Sequence, residues 1–250
     1  MKTFLFLSFS LLFFVEIQSQ DIAALLNTAD RLESVMDENG AFNKFKEIIK
    51  IQPNNTYALN KCSELCSRIG KRQTNKKIIN DYYDAAKTYA SMALKVDPKN
   101  SEANCVMAIA LGRSSLNKGG REKIETAKEI KRYVDIAIKN DPQNFKAWHV
   151  LGRWNYELSN LNILERTAAK LLYGSIPYGS VQQAIAAFEK TNSIANGFIL
   201  NYLELAKAYI KNDESAKAIT TINKMLSLPN HTEDDAAIKT EGRLLLIDYQ

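Results

Sequence analysis

One short phrase recurs along this chain of 250 residues and constrains its fold more than any other feature. ALKVDPKN at residues 93–100 returns 44 residues later as AIKNDPQN at 137–144, and a weaker version, IIKIQPNN, stands at 48–55. Proline cannot continue a helix, so Pro98 and Pro142 each predict a helix end. Asn100 and Asn144 then predict N-caps, because an asparagine oxygen accepts hydrogen bonds from the free N–H groups of the next helix. The phrase therefore predicts helix pairs that repeat along the chain.

The rest of the sequence also has a helical period. Apolar residues recur at intervals of three and four in almost every segment, as in amphipathic helices, and no window alternates with a period of two. Only ten glycines and five prolines interrupt the chain. A helix pair that cannot cover its own apolar face must stack on a neighbour. The sequence thus predicts an all-α solenoid of helical hairpins with about a dozen helices.

The hairpins resemble the tetratricopeptide repeat, whose pattern is W-x2-L-G-x2-Y, then A-x3-F, then P. Trp148, Leu151 and Gly152 match the first part, with Trp154 beside its tyrosine position. The interval of 34 residues between the later repeats is the usual period of this family, whereas the intervals of 44 to 45 residues upstream predict irregular, longer repeats over residues 21–145. The further repeat positions are Ala93, Ala137, Ala184, Phe188, Leu205, Ala206, Tyr209 and Ala218.

A second resemblance covers roughly residues 90 to 247. It is carried by LGRW at 151–154, by the helix that leads to L-Y-G-x-x-P at 172–177, by AIAAFEK at 184–190 and by P-x-x-TEDD at 229–235. These segments resemble the regulator of microtubule dynamics family. The resemblance implies a tetratricopeptide-like fold without catalytic activity, which acts through protein contacts.

The first twenty residues, MKTFLFLSFSLLFFVEIQSQ, have the layout of a secretory signal peptide. One lysine precedes an apolar run and a polar end, and cleavage is expected near Ser19 or Gln20. The run is short for a transmembrane helix, which needs about 20 residues. We therefore expect a folded region at 21–250 that is exported, either to the periplasm or to the medium, without an integral membrane span. An uncleaved membrane anchor is the alternative.

Residues that could carry chemistry are few. Neither His149 nor His231 stands in a metal-binding or nucleophile motif. The three cysteines, at 62, 66 and 105, are expected to be buried as apolar residues, because no further Cys or His completes a metal site. The acidic cluster TEDD at 232–235 predicts a helix start with Thr232 as its cap. We expect no catalytic residue, no metal and no cofactor.

The formal charge of +5 is mild for this length and argues against nucleic-acid binding, which needs clustered basic residues. Two polar stretches, KRQTNKK at 71–77 and NKGGREK at 117–123, are predicted to be loops. The leading hypothesis is a non-catalytic scaffold that binds an unidentified protein or peptide on its curved inner face. The alternative is a small apolar ligand in a pocket between the C-terminal helices, lined by Trp148, Trp154 and Tyr202. The sequence leaves the oligomeric state open.

Overall fold

The computed structural model describes residues 22–115 and 119–249, and within these ranges it contains twelve helices and no strand. The predicted all-α class is confirmed. The predicted signal peptide and its cleavage near Ser19 or Gln20 lie outside the described residues. The helices are α1 (22–34), α2 (Glu38–Ile51), α3 (Thr56–Lys71), α4 (Lys76–Val96), α5 (Ser101–Ser114), α6 (Gly120–Asn140), α7 (Phe145–Ser159), α8 (Ile163–Tyr173), α9 (Val181–Ile194), α10 (Ile199–Lys211), α11 (Ser215–Ser227) and α12 (Asp235–Tyr249).

Successive helices form two layers. From α2 onward each helix packs against the next one in the chain, except that α7 packs on α9 and leaves α8 outside this order. In addition, α3 touches α5, α5 touches α7, α7 touches α10 and α10 touches α12. These five helices, α3, α5, α7, α10 and α12, are called the inner helices below. Contacts of this kind are those of a solenoid, in which each hairpin buries its apolar face on its neighbours.

The repeated phrase forms the turns that lead into inner helices. The side chains of Asn55, Asn100 and Asn144 accept hydrogen bonds from the backbone N–H groups three residues further on, at 3.0, 2.8 and 3.0 Å. Pro98 and Pro142 lie exposed in two of these turns. An N-cap of this type stabilises a helix by about 1 kcal/mol. Local chemistry therefore places the start of α3, α5 and α7.

Small residues allow the helices to approach closely. Ala93 packs with Ala103, and Ala137 packs with Ala147, all four with no exposed surface. An ideal Cβ atom on Gly152 would lie only 2.4 Å from the Phe188 ring, so α7 and α9 are as close there as a glycine permits. The remaining repeat positions are also buried, except for Trp148 and Leu151, which are half-buried: Trp154, Ala184, Leu205, Ala206, Tyr209 and Ala218.

The extra length of the early repeats lies in their second helices. Helices α4 and α6 have 21 residues each, whereas α9 has 14 and α11 has 13. The two loop predictions are therefore wrong at their ends, because α4 starts at Lys76 and α6 starts at Gly120. Residues 116–118 are outside the described part of the second stretch. Each long helix adds about two turns to its hairpin.

Helix α8 is an insertion that contributes no buried residue. A capping box formed by Asn162 and Glu165 starts it, and Arg166 ties it to the end of α7 by donating to the carbonyl oxygen of Leu158. Its stripe of large aliphatic side chains faces solvent, with Ile163, Leu164, Leu171 and Leu172 between 66% and 86% exposed. The helix was predicted from its period, but the sequence did not show that this apolar stripe would be uncovered.

Candidate interaction surface on the inner helices

Charged side chains connect successive inner helices to one another. Lys146 on α7 lies 2.6 Å from Glu64 on α3 and 2.7 Å from Glu102 on α5. Burial alone would raise the pKa of Glu64, but Lys146, Lys61 and Arg68 outweigh it and hold that pKa at about 2. The same acids raise the pKa of Lys146, although burial opposes this. One lysine thus ties three successive inner helices together at neutral pH.

A second charged network continues along the surface. Arg153 on α7 lies 2.9 Å from Glu204 on α10, and Lys207 on α10 lies 2.7 Å from Glu241 on α12. Glu204 is also 3.4 Å from Lys207. Cations and acids thus pair between neighbouring inner helices, and these pairs place polar groups at defined positions along the surface.

A groove of about 420 Å³ opens where the N-termini of three inner helices meet. The residues that follow the three caps by two positions, Tyr57, Glu102 and Lys146, all line it. Asn60 also lines it, and its side-chain oxygen has no hydrogen-bond partner within the described ranges. The hydroxyl of Tyr57 donates to Asp30 at 2.7 Å. The other lining residues are Lys61, Asp141, Gln143, Asn144 and Phe145.

The two ends of the solenoid meet. The backbone N–H of Glu38 donates to Oε1 of Glu233 at 3.0 Å, and the backbone N–H of Glu233 donates to Oε1 of Glu38 at 3.3 Å. Arg72, at the end of α3, lies 3.2 Å from Glu233 and 3.4 Å from Asp234. The side chain of Glu38 is fully buried and also binds Arg68 and Arg72. The hairpins therefore curl until the first contacts the last, and the inner helices surround a common space.

Three residues predicted to line an apolar pocket do not converge. The indole N–H of Trp148 donates to the carbonyl oxygen of Pro142, that of Trp154 donates to Ala127 on α6, and the hydroxyl of Tyr202 donates to Asn196. Each of the three donors therefore bonds a backbone carbonyl group in a different part of the fold. Neither the groove described above nor the depression beside Tyr209 and Lys217 includes any of the three. Their contacts are those of structural residues.

His149 is buried and has a structural contact. Its Nδ1 lies 2.9 Å from Oδ1 of Asn201, whose amide nitrogen already donates to Phe188 and Asn192, so Nδ1 of His149 must carry the proton. Burial lowers the pKa of His149 to about 4, although the bond to Asn201 opposes this. The imidazole is therefore neutral at pH 7. It packs between the rings of Phe188 and Phe198.

The other residues singled out for chemistry are also structural. The three cysteines are buried and free, and burial raises the pKa of the Cys66 thiol to about 12. At the predicted Thr232 cap, the carboxylate of Asp235 accepts from the N–H groups of His231 and Thr232, and the second of these bonds is the acid half of a capping box. Within the described ranges the Thr232 hydroxyl itself accepts no bond from the helix. In the described ranges, no group of three or more His, Cys, Asp or Glu residues could hold a metal ion.

The residues of this surface were not found from the sequence, except that Asn144 was predicted as a cap and Lys71–Lys77 as a basic loop. One signal was present, because Tyr57, Glu102 and Lys146 share the same offset from aligned asparagines. The contact between Glu38 and Glu233 has no sequence signal of this kind. None of the helices in the described ranges is long and apolar enough to cross a membrane.

Comparisons with known proteins agree with the architecture. A thermophilic tetratricopeptide-repeat protein of Thermus thermophilus superposes with a TM-score of 0.65 at 14% identity, over 89% of this chain and 99% of that chain. This likeness confirms the predicted helical solenoid.

Sequence relatives are more specific. Regulator of microtubule dynamics protein 1 of Caenorhabditis elegans is 30% identical over 185 residues, which cover 74% of this chain and 80% of that protein. The mouse protein 1 is 27% identical over 98% of this chain and 84% of its own length. The chain spans less than half of human protein 2, at 42%, and of Xenopus laevis protein 3, at 47%. The family model described as Regulator of microtubule dynamics protein 1-3 matches residues 25–250, so the chain belongs to this family.

Proposed function

We propose that this chain is a non-catalytic interaction module whose inner helices bind a protein or peptide partner. The groove at the N-termini of α3, α5 and α7 carries the proposal. It combines two aromatic rings, two lysines, two acids and three side-chain amides, a mixture that suits the alternating polar and apolar groups of a polypeptide.

The closed arrangement supports binding on the inner side. The contact between Glu38 and Glu233 and the bridge through Lys146 keep the inner helices at a fixed spacing before any partner arrives. A surface that is already ordered loses less conformational entropy on binding than a mobile one. The solenoid therefore presents a preformed site to its partner.

We further propose that this family member is exported, because its first twenty residues have the layout of a signal peptide. The relatives that carry the name regulator of microtubule dynamics are animal proteins, which favours the secretory pathway over a periplasm. An exported chain meets its partner outside the cytosol, so the partner is a secreted or lumenal protein and not a microtubule component. N-terminal sequencing of the mature protein tests this, since a chain that retains Met1 in the cytosol would contradict export.

Site-specific photocrosslinking tests the binding surface. A benzoylphenylalanine at Gln143, an exposed groove residue, should trap the partner in the native secreted fraction. The same group at Glu129, an exposed residue of α6, is the matched control and should trap nothing specific. Replacement of Tyr57 by alanine should reduce the Gln143 crosslink, because the aromatic wall of the groove is lost. Equal crosslinking from both positions, or none from Gln143, would contradict the proposal.

A further inference from the structure

Arg113, in the last turn of α5, carries a charge that no acid neutralises. Within the described ranges its guanidinium donates no hydrogen bond and forms no ion pair. Arg68 holds the same place in α3, thirteen residues after its cap, and pairs with both Glu33 and Glu38. The two arginines are thus equivalent in the repeat, but in the part of the chain that the structure describes, acids bind only the one in α3.

The acids whose charge acts on Arg113 are already paired with other cations. These acids are Glu204 on α10 and Asp234, the residue before α12. Glu204 lies 2.9 Å from Arg153, and Asp234 lies 3.4 Å from Arg72. Burial lowers the pKa of Arg113, and the positive charge of Arg153 adds to this, while Tyr83, Asp234 and Glu204 oppose it in part. Within the described ranges no ion pair holds the guanidinium of Arg113.

The guanidinium of Arg113 can still be reached. The residue is half-buried, and none of its nitrogens is among the sealed side-chain atoms without a partner. A planar guanidinium presents two parallel N–H donors that match the two oxygens of a carboxylate. A partly desolvated charge gains more from such a pair than an exposed one does, because the solvent screens it less.

We propose that Arg113 is the anchoring point for a carboxylate of the peptide that lies along the inner helices. The inference rests on the proposed function, since that peptide must reach from the groove toward the C-terminal end of α5. The carboxylate belongs either to an aspartate or glutamate side chain or to the C-terminus of the partner. Both have the same chemistry, and amidation of the C-terminus separates them.

The test starts from a random linear peptide library selected on the wild-type protein. Peptides recovered should share an acidic residue or a free C-terminus, and they should bind Arg113→Met about tenfold more weakly or worse. Arg31→Met, at an exposed position of α1 on the outside, is the matched control and should bind as the wild type does. Because Arg113 has no partner to lose, Arg113→Met should melt at or above the wild-type temperature.

Variants of the selected peptide complete a double-mutant cycle with Arg113→Met. Changing the shared Asp or Glu to its amide should weaken binding to the wild type and have no further effect on Arg113→Met. An effect of C-terminal amidation alone assigns the contact to the terminal carboxylate. Peptides that bind wild type and Arg113→Met equally would overturn the inference, while crosslinking from Gln143 would still support the proposed function. Failure to recover any peptide, or displacement by inorganic phosphate at lower concentration than by acetate, would also overturn it.

Discussion

Glu38 and Glu233 are 195 residues apart in the sequence, and each donates its backbone N–H group to the side chain of the other, at 3.0 and 3.3 Å. The contact joins the start of α2 to the turn before α12. A stack of hairpins that contact only their neighbours can bend freely along its length. This junction, together with Arg72, closes the arrangement and turns the inner helices toward a shared space.

Removal of the Glu233 carboxylate should open the junction. We expect Glu233→Ala to lower the free energy of unfolding by about 1 kcal/mol, the usual cost of a lost N-terminal cap. Small-angle scattering should show a larger radius of gyration, because the first and last hairpins separate. Glu129→Ala, at an exposed position of α6, is the control and should leave both quantities unchanged. An unchanged radius for Glu233→Ala would show that other contacts hold the ends together.

Two glycines should respond to alanine in opposite directions. A Cβ on Gly152 would lie 2.4 Å from Phe188, so Gly152→Ala should cost about 1 to 3 kcal/mol by overpacking. A Cβ on Gly112 would lie 4.0 Å from Ile130, so Gly112→Ala should stabilise its helix by up to about 1 kcal/mol. Urea denaturation measures both. A stabilised Gly152→Ala variant would mean that α7 and α9 can move apart without loss.

Acidification should destabilise the fold through His149. Its pKa is lowered from 6.5 to about 4, so between these values the unfolded chain takes up a proton and the folded chain does not. Stability that is fully present above pH 6.5 is therefore lost as the pH falls toward 4. Between pH 7 and 4 we expect the wild type to lose roughly 3 kcal/mol more than His149→Gln, which lacks this group. Denaturant titrations of both proteins across that range would detect the difference, and parallel curves would exclude His149 as its source.

The exposed stripe of α8 should be dispensable for stability. Leu171 is 86% exposed and Leu203 on α10 is 1% exposed. Leu171→Ser should change the free energy of unfolding by less than about 0.5 kcal/mol. Leu203→Ser should cost about 3 kcal/mol or more, because it leaves a cavity and buries a hydroxyl. Thermal melts compare the two directly. A large loss for Leu171→Ser would place α8 against a surface that the described residues do not show.

The class of fold followed from local patterns. The helical period and the turn phrase depend on residues within a few positions of one another, and their physical causes are equally local. Asn100 lies beside the N–H group of Ala103 in any chain that starts a helix there. The loops at 71–77 and 117–123 were predicted too long, because the helical period alone does not show whether lysine and arginine residues at a boundary are helical.

The candidate site could not be predicted to the same depth. Lys146 meets Glu64, and Arg153 meets Glu204, only because separate helices stack at particular distances. The sequence also did not show that the carboxylate of Asp235 would bond the N–H groups of His231 and Thr232 at the start of α12. The number of residues after an aligned asparagine cap identifies which side chains face the other inner helices. It does not identify the charged residue with which each of them pairs.

The sequence by itself determined that the chain is helical, where its turns lie and that its hairpins must stack, because helix period, proline, asparagine caps and small residues act over short range. Only the tertiary structure decided that the ends close through Glu38 and Glu233, that Arg113 pairs with no acid among the described residues and that α8 exposes its apolar stripe. These three features depend on distances between residues far apart in the chain. Such distances are set by how many hairpins stack and at what curvature, which no local pattern encodes.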